Sequence, residues 1–587
     1  MPQRLARPIR LAAAAALCLS LQNAAFAQGA PPGMPQPGQP IQSAASRLLP
    51  VIGTKGMVAS QEGTATKVGV EILKRGGNAV DAAVAVGFAL AVTLPRAGNL
   101  GGGGFMMVHM ASRNETVAID YRETAPAAAF RDMFLDAKGE PDPKKSRDSG
   151  LAVGVPGTVA GLAEAHRRYG SGKFTLADLI APAVALASDG IPVAEDLADS
   201  LPTATRLKQY PSTRAIFYRG DQPLGRGETL VQADLAATLK TIAAQGPDGF
   251  YKGPVAERIA AAVKGAGGVM TAEDLAGYKV VTRQPVRGTY RGYDVVSMPP
   301  PSSGGVHLIQ ILNILEGFDI AKAGAGSGQQ IHLLAEAMKP AYADRAEFLG
   351  DPDRVKIPVK GLTSKAYAAK LRAAIDPAAA RPADAIRAGD PLPYESDQTT
   401  HFSVVDRDGN AVANTYTLNF TYGLGLVAEG TGVMLNNEMD DFSAKAGAQN
   451  AYGLVGGDTN SVAPGARPLS SMTPTFLFRD GKLAMVTGSP GGSRIISTTL
   501  QVIVNVVDNG MNVAEAVAAP RVHHQWRPDA LLTEAGLSPD TIEILKGRGH
   551  KVVVGTTSGS ANSIHVTPEG LLGAADPRQR GTLAAGY

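Results

Sequence analysis

A five-residue turn constrains this chain more than any other feature. Asp406-Arg407-Asp408-Gly409-Asn410 is rich in the residues that tolerate tight turns, and it separates two strand-like runs, 399–406 and 411–418. With that loop length, residue 405 faces 411, and counting back puts Thr399 opposite Thr417, hydroxyl towards hydroxyl. A slip of one residue would send every side chain to the other face of the sheet, so the register is a testable expectation. The segment ahead of the first strand, 381–398, is loop-like: Arg-Pro-Ala-Asp, then Gly-Asp-Pro-Leu-Pro-Tyr-Glu-Ser-Asp-Gln.

A loop that opens directly on a strand-initial threonine reads as a chain that cuts itself. The Thr399 hydroxyl would attack the Gln398 carbonyl, shifting the peptide to an ester that water then hydrolyses. The freed α-amino group has an ordinary pKa of about 7.7. It is therefore a base poised near neutral pH beside the hydroxyl it must activate, and no histidine is needed. The plain alternative is that Thr399, Thr400 and Ser403 are ordinary strand residues with exposed hydroxyls.

At 587 residues the chain has material for two or more domains. Hydrophobic residues at 44% and charged residues at 19% are globular proportions, and a net charge of +3 selects no partner. No basic stripe with interleaved aromatics is present, which argues against nucleic acid. Arg4, Arg7 and Arg10, the apolar run 11–21 and Ala25-Phe26-Ala27 read as a secretory signal cleaved to leave Gln28. The single cysteine, Cys18, lies inside it, between Leu17 and Leu19, which do not fit a lipoprotein site. The mature protein would have no disulfide, and export without disulfides fits a bacterial periplasm or secreted fluid. The longest later apolar run, 79–94, is short, Ala-rich and interrupted by Asp81, so it reads as a buried core helix and not a membrane span.

Residues 28–42, rich in Pro, Gly and Gln, read as a disordered leader. Helical and strand patterns alternate from Pro50. The pattern predicts a helix over 62–75 ended by Gly76-Gly77, a second helix capped by Asn78, a Gly-rich turn entering a buried strand over 99–108, and a long helix over 329–348. Beyond residue 399, strands are expected at 475–478, 484–487 and 563–566, with a covering helix at 497–508. The fold class is layered α/β with mixed sheets. His523-His524 lacks further ligands at zinc-like spacing and reads as structural. The Gly101–104 run does not follow the dinucleotide fingerprint.

Longer blocks carry a family resemblance. They are 399–406 (Thr-Thr-His-Phe-Ser-Val-Val-Asp), 436–442 (Asn-Asn-Glu-Met-Asp-Asp-Phe), 467–472 (Arg-Pro-Leu-Ser-Ser-Met) and 488–494 (Gly-Ser-Pro-Gly-Gly-Ser-Arg), with 121–126 and 299–305 upstream. In this order, from Pro50 to Tyr587, they resemble the γ-glutamyltransferases (γ-glutamyltranspeptidases) of bacterial type. The resemblance implies an N-terminal-nucleophile hydrolase fold, a four-layer αββα sandwich built from two self-cleaved subunits that stay together as a heterodimer. On this chain it implies a signal peptide 1–27, a leader 28–49, a large subunit 50–398 and a small catalytic subunit 399–587.

The resemblance also implies roles. Thr399 would be the nucleophile, Thr417 the threonine that orients it, and Gly491 and Gly492 the oxyanion hole. Arg122, Ser470 and Ser471 would grip the α-carboxylate of a γ-glutamyl group. Asp441 would bind its α-ammonium, with Asn419 and Glu438 assisting. Tyr452, within 446–457, resembles the lid over the pocket and implies small γ-glutamyl compounds. Pro95-Arg96-Ala97-Gly98 departs from the family pattern. The implied substrates are glutathione and similar donors, with water, amino acids or peptides as acceptors, and no cofactor or metal. Two rivals stand beside this reading: an acylase of the same fold that cleaves glutaryl or cephalosporin side chains, and a non-catalytic protein that binds γ-glutamyl peptides.

Overall fold

The computed structural model describes residues 48–389, 400–445, 457–555 and 559–587. Gln398, Thr399, Tyr452 and the signal segment lie outside the described residues. Fourteen strands form two seven-stranded sheets. In chain order they are β1 Val51–Gly53, β2 Gly56–Ser60, β3 Gly103–Met110, β4 Glu115–Tyr121, β5 Val281–Arg283, β6 Val286–Tyr290 and β7 Tyr293–Ser297. They continue with β8 Thr400–Asp406, β9 Ala411–Thr417, β10 Thr475–Arg479, β11 Lys482–Thr487, β12 Asn562–Thr567, β13 Gly570–Ala575 and β14 Leu583–Gly586. One sheet has the order β1-β13-β12-β11-β10-β7-β6, the other β14-β2-β8-β9-β3-β4-β5.

Both sheets are antiparallel throughout. The mixed strand directions expected from the sequence occur, among the described residues, in a small separate sheet where Leu531–Thr533 runs parallel to Val552–Val554. The length suggested two or more domains, yet Leu49–Tyr587 is a single compact unit. The reason is the strand order: segments on either side of residue 399 alternate within each sheet.

The helices that cover the sheets follow from local signals. Helix α1, Gly63–Lys74, starts where the Glu62 carboxylate accepts the Thr64 and Ala65 N–H groups. Helix α2, Ala79–Thr93, starts with a reciprocal capping box between Asn78 and Asp81. All its residues are buried, as an Ala-rich sequence with little bulk permits. Three further helices matter to the site: α3 Gly304–Leu315, α4 Gly328–Phe348 and α5 Arg494–Val507.

Alternation along the strands sorts the layers. Phe105, Met107, Ala411, Ala413 and Val405 meet Val296, Phe476, Val486 and Ile564 between the sheets. The intervening residues Met106, Val108, Phe402, Val404 and Val412 pack against α1 and α2. On the far side, Val295, Leu477 and Met485 pack against α3, α4 and α5. The result is the four-layer αββα sandwich expected from the sequence. In the hairpin, Val405 faces Ala411 and Thr400 faces Tyr416, the register counted from the turn.

Candidate active site

The ends of four neighbouring strands set the site. Thr400 faces Tyr416, Tyr416 faces Gly104, and Gly104 faces Tyr121. The strand that begins just after Thr399 therefore starts three strand spacings, about 14 Å, from the end of β4. Arg122 follows β4, and Thr417 lies one step beyond Tyr416. The glycines of β3 permit this convergence: a Cβ on Gly104 would lie 2.4 Å from the Thr415 carbonyl oxygen, and one on Gly103 would lie 2.6 Å from the Glu123 carboxylate.

Thr417 and Asn419 lock together at the end of β9. The Asn419 N–H donates to Thr417 Oγ at 2.8 Å, and Asn99 Nδ2 donates to the Thr417 carbonyl at 2.8 Å. Asn419 adopts a left-handed φ of 72° and donates from Nδ2 to the Asn437 carbonyl at 3.0 Å. Its Oδ1 is buried with no hydrogen-bond partner among the described residues. Asn437 leads into the short 3-10 turn Glu438–Asp441. Asn436 pins that turn to the Gly-rich strand entry, donating to the Gly101 and Gly154 carbonyls at 2.8 Å and accepting the Glu438 N–H at 3.0 Å.

Arg122 is the electrostatic centre. It is only 1% exposed. Its guanidinium pairs with the carboxylates of Glu438 and Asp441 and donates to the Pro468 and Leu469 carbonyls at 3.1 and 3.0 Å. Leu469 is the residue before Ser470, so the backbone leading into the Ser470-Ser471 turn is held by the Arg122 guanidinium. Burial works against the Arg122 charge, but Glu438, Asp441 and Glu123 outweigh it and hold the proton on.

The acids feel the opposite balance. Burial pushes Glu438, Asp441 and Glu123 above the ordinary carboxylate range, and for Glu123 and Asp441 the neighbouring Glu438 adds to the rise, against the pull of Arg122. The sequence reading did not assign Glu123. It follows Arg122 in the chain, but only the fold shows it 3.7 Å from the Arg122 guanidinium with both oxygens buried. Arg467 also went unassigned; it donates to the backbone carbonyls of Arg122 and Lys279 and so braces the site from behind.

Gly491 and Gly492 have φ values of 130° and 65°, both in the region that favours glycine. Their carbonyls accept the N–H groups of Arg494 and Ile495 at 3.2 and 2.8 Å, which starts α5. The glycine N–H groups therefore stand at the positive end of a helix, suited to a developing oxyanion. The loop is tied to β8: a Cβ on Gly488 would lie 2.4 Å from the His401 ring. Asn562 fastens both, donating from its N–H to the Gly488 carbonyl at 3.2 Å and from Nδ2 to the His401 carbonyl at 2.9 Å. Burial lowers His401 to about 3, so the ring is neutral where it bridges Thr415 and Ser403.

The segment that departs from the family pattern is held in place. Arg96 pairs with Asp196, and its carbonyl accepts the Tyr422 N–H at 2.9 Å. His523 sits between Ser497 and Gln525, in keeping with a structural role. Among the described residues, His332, Glu336 and His550 bring three potential metal ligands within 4.8 Å of one another. They are already partnered. His332 Nε2 donates to the Asp376 carbonyl, so its Nδ1 accepts from His550 Nε2 at 2.8 Å. Glu336 accepts from Lys339 at 2.6 Å and Arg381 at 3.1 Å. Those two cations supply the charge a metal would bring, and the cluster reads as a buried tie.

Comparison with known proteins places this geometry. The family described as gamma-glutamyltranspeptidase matches residues 65–586. The chain is 56% identical over 581 residues to the glutathione hydrolase proenzyme of Escherichia coli strain K12, covering 98% of this chain and 99% of the relative. Its fold is similar to the cephalosporin acylase from Bacillus halodurans, with a TM-score of 0.81, 28% identity and coverage of 94% and 99%. It is also similar to Helicobacter pylori gamma-glutamyltranspeptidase, with a TM-score of 0.55, 45% identity and coverage of 60% of this chain and 97% of that one. The αββα sandwich is that of the N-terminal-nucleophile hydrolases. Within that class, the chain belongs to the gamma-glutamyltranspeptidase family.

Proposed function

We propose that this chain is the precursor of a γ-glutamyltransferase and glutathione hydrolase that cuts itself between Gln398 and Thr399. The observation that carries the reading is the buried Arg122 flanked by Asp441 and Glu438, beside Ser470, at the same sheet end from which β8 starts. A cation and acids in one pocket read a zwitterion: the fork takes an α-carboxylate and the acids take an α-ammonium. A γ-glutamyl donor carries both groups at the far end of a short acyl chain. Its α-carboxylate engages Arg122 by exchange with the protein's own carboxylates, which then turn to the ammonium.

The chemistry follows from the placements. Thr399 Oγ attacks the γ-amide carbon, and its proton passes to the Thr399 α-amino group. The Gly491 and Gly492 N–H groups hold the oxyanion. The amine leaves with the proton, and a γ-glutamyl ester remains on Thr399. Water or an amino acid then attacks the ester, and Thr399 Oγ recovers a proton as the acyl group departs. Thr417 steadies Thr399, Asn419 assists at the ammonium, and Tyr452 covers the bound donor. Residues 1–27 direct export to the periplasm or medium; no helix among the described residues is long and apolar enough to cross a membrane.

The acylase reading is separated by the ammonium. Glutaryl donors lack it, so Asp441 would have no task. Wild type is expected to turn over a γ-glutamyl anilide far faster than a glutaryl anilide, and Asp441→Ala to lower γ-glutamyl kcat/KM about 10²-fold. A wild type that prefers the glutaryl donor, with Asp441→Ala unaffected, would reject the proposal.

The raised acids give a pH dependence. Acids held above their ordinary range keep a proton that ammonium binding must release, so donor binding strengthens as pH rises. KM for the γ-glutamyl donor is expected to fall between about pH 5 and 8. Glu438→Gln removes a charge that pushes Glu123 and Asp441 upwards, so its profile should be shallower and displaced to lower pH. Superimposable profiles for the two proteins would show that the cluster holds no such proton.

A further inference from the structure

Arg345 lies outside every segment that the sequence assigned to the site. It is near the end of α4, is 1% exposed, and leaves the helix on the same face as Tyr342, three residues earlier. Its Nε donates to Ser303 Oγ at 2.9 Å, and its Nη2 donates to Ser471 Oγ. Ser303 Oγ donates in turn to the Ser470 carbonyl at 2.9 Å, and the Ser303 N–H donates to the same carbonyl at 2.7 Å. The Arg345 guanidinium stands 5.7 Å from the centroid of the Tyr342 ring, whose hydroxyl donates to the carbonyl of Ser493, directly after Gly491-Gly492. One turn of α4 therefore touches both the Ser470-Ser471 turn and the glycine loop.

Hydrogen-bond polarity turns this contact into a direction. A guanidinium has five N–H donors and no acceptor. Ser471 Oγ must accept from Arg345, so its single O–H points to some other acceptor. Ser303 shows the same rule completed: it accepts from Arg345 and donates onward to Ser470.

We propose that Arg345 is a positioning residue that makes the Ser471 hydroxyl a dedicated donor to the α-carboxylate of the γ-glutamyl group and places a second cation behind that carboxylate. The inference rests on the reading that Ser470-Ser471 bind the carboxylate. Arg122 would then grip the carboxylate directly, while Arg345 acts through a hydroxyl it never releases.

The test uses the full chain and its Arg345→Met, Arg345→Lys, Ser471→Ala and Arg345→Met/Ser471→Ala variants, each checked by intact mass for the chain beginning at Thr399. Two donors are compared: γ-glutamyl-4-nitroanilide and 4-aminobutanoyl-4-nitroanilide, which lacks the α-carboxylate. Arg345→Met should raise KM for the γ-glutamyl donor about tenfold with kcat within about threefold, and Arg345→Lys should recover part of the loss. In the Ser471→Ala background, Arg345→Met should add less than about twofold, because the group it acts through is gone. The carboxylate-free donor should lose far less than the γ-glutamyl donor.

Effects that multiply in the double variant, or equal losses on both donors, would overturn the proposal and leave Arg345 a structural residue. Should Arg345→Met fail to fold or to be cut, Arg345→Lys carries the same cycle. A wild type without γ-glutamyl turnover is a different result: it removes the functional reading itself, and this inference with it.

Discussion

Thr399→Ala should yield one uncut chain with no measurable γ-glutamyl turnover, where wild type should give two chains, the smaller beginning Thr399-Thr400-His401. The substitution removes the hydroxyl that would attack Gln398 and, with it, the amino group that cutting would release. A residue serving as both nucleophile and source of the base has no substitute, so the expected loss is at least about 10⁴-fold. Thr399→Ser keeps both groups and should be cut and active at a reduced rate. The fold should survive either change. β8 is held on one side by β2 and on the other by β9, through Ser403 to Ala59 and Thr400 to Tyr416. Thermal unfolding of Thr399→Ala should therefore stay close to wild type. A Thr399→Ala protein that is still cut after Gln398, or still turns over the donor, would end the self-cleavage reading.

Arg122→Met should lose about 10³-fold in kcat/KM for a γ-glutamyl donor, the combined value of two charge-assisted hydrogen bonds. Unlike Thr399→Ala, it should also unfold earlier. Removing the cation strips Glu438, Asp441 and Glu123 of their common partner in a fully buried setting, and breaking a buried pair of this kind costs about 3–5 kcal/mol. The sign with pH is fixed. These acids already have folded pKa values raised by burial, and loss of Arg122 raises them further. An acid raised in the folded state favours folding only while protonated, and that contribution is lost as pH rises through the folded value. The deficit of Arg122→Met should therefore be smallest under acid conditions and grow towards alkaline pH. Unfolding temperatures measured at about pH 5 and 8, beside KM, check both parts. Unchanged stability and unchanged KM would remove Arg122 from the site.

Much of this could be read from the chain because the signals were local. The Asp406–Asn410 turn set the hairpin register, and Asn78 announced a helix start. The resemblance then assigned Arg122, Glu438, Asp441 and the serine pair. What escaped was what only tertiary proximity defines. Glu123 became a third acid because β4 delivers it beside Arg122, and Arg345 became a neighbour of Ser471 because α4 crosses behind the Ser470-Ser471 turn. The pairings of β2 with β8, β3 with β9 and β7 with β10 join distant segments through backbone groups that every residue carries, so no side-chain pattern foretold them. For the same reason, the sequence did not tell that the parallel pairing would be confined, among the described residues, to the small sheet of Leu531–Thr533 and Val552–Val554 while the two large sheets are antiparallel.

The alternation of segments in the two sheets has a consequence for how such a molecule can be made. Pairings β14–β2, β2–β8, β9–β3, β1–β13 and β10–β7 each join a strand from before residue 399 to one from after it. A nick ahead of Thr399 would thus free a chain end without freeing a part; dissociation would require unzipping every one of those seams. Halves synthesised separately would each present raw strand margins prone to stick to their own kind. Covalent continuity is then a scaffold for assembly, needed while the sheets close and dispensable once they have.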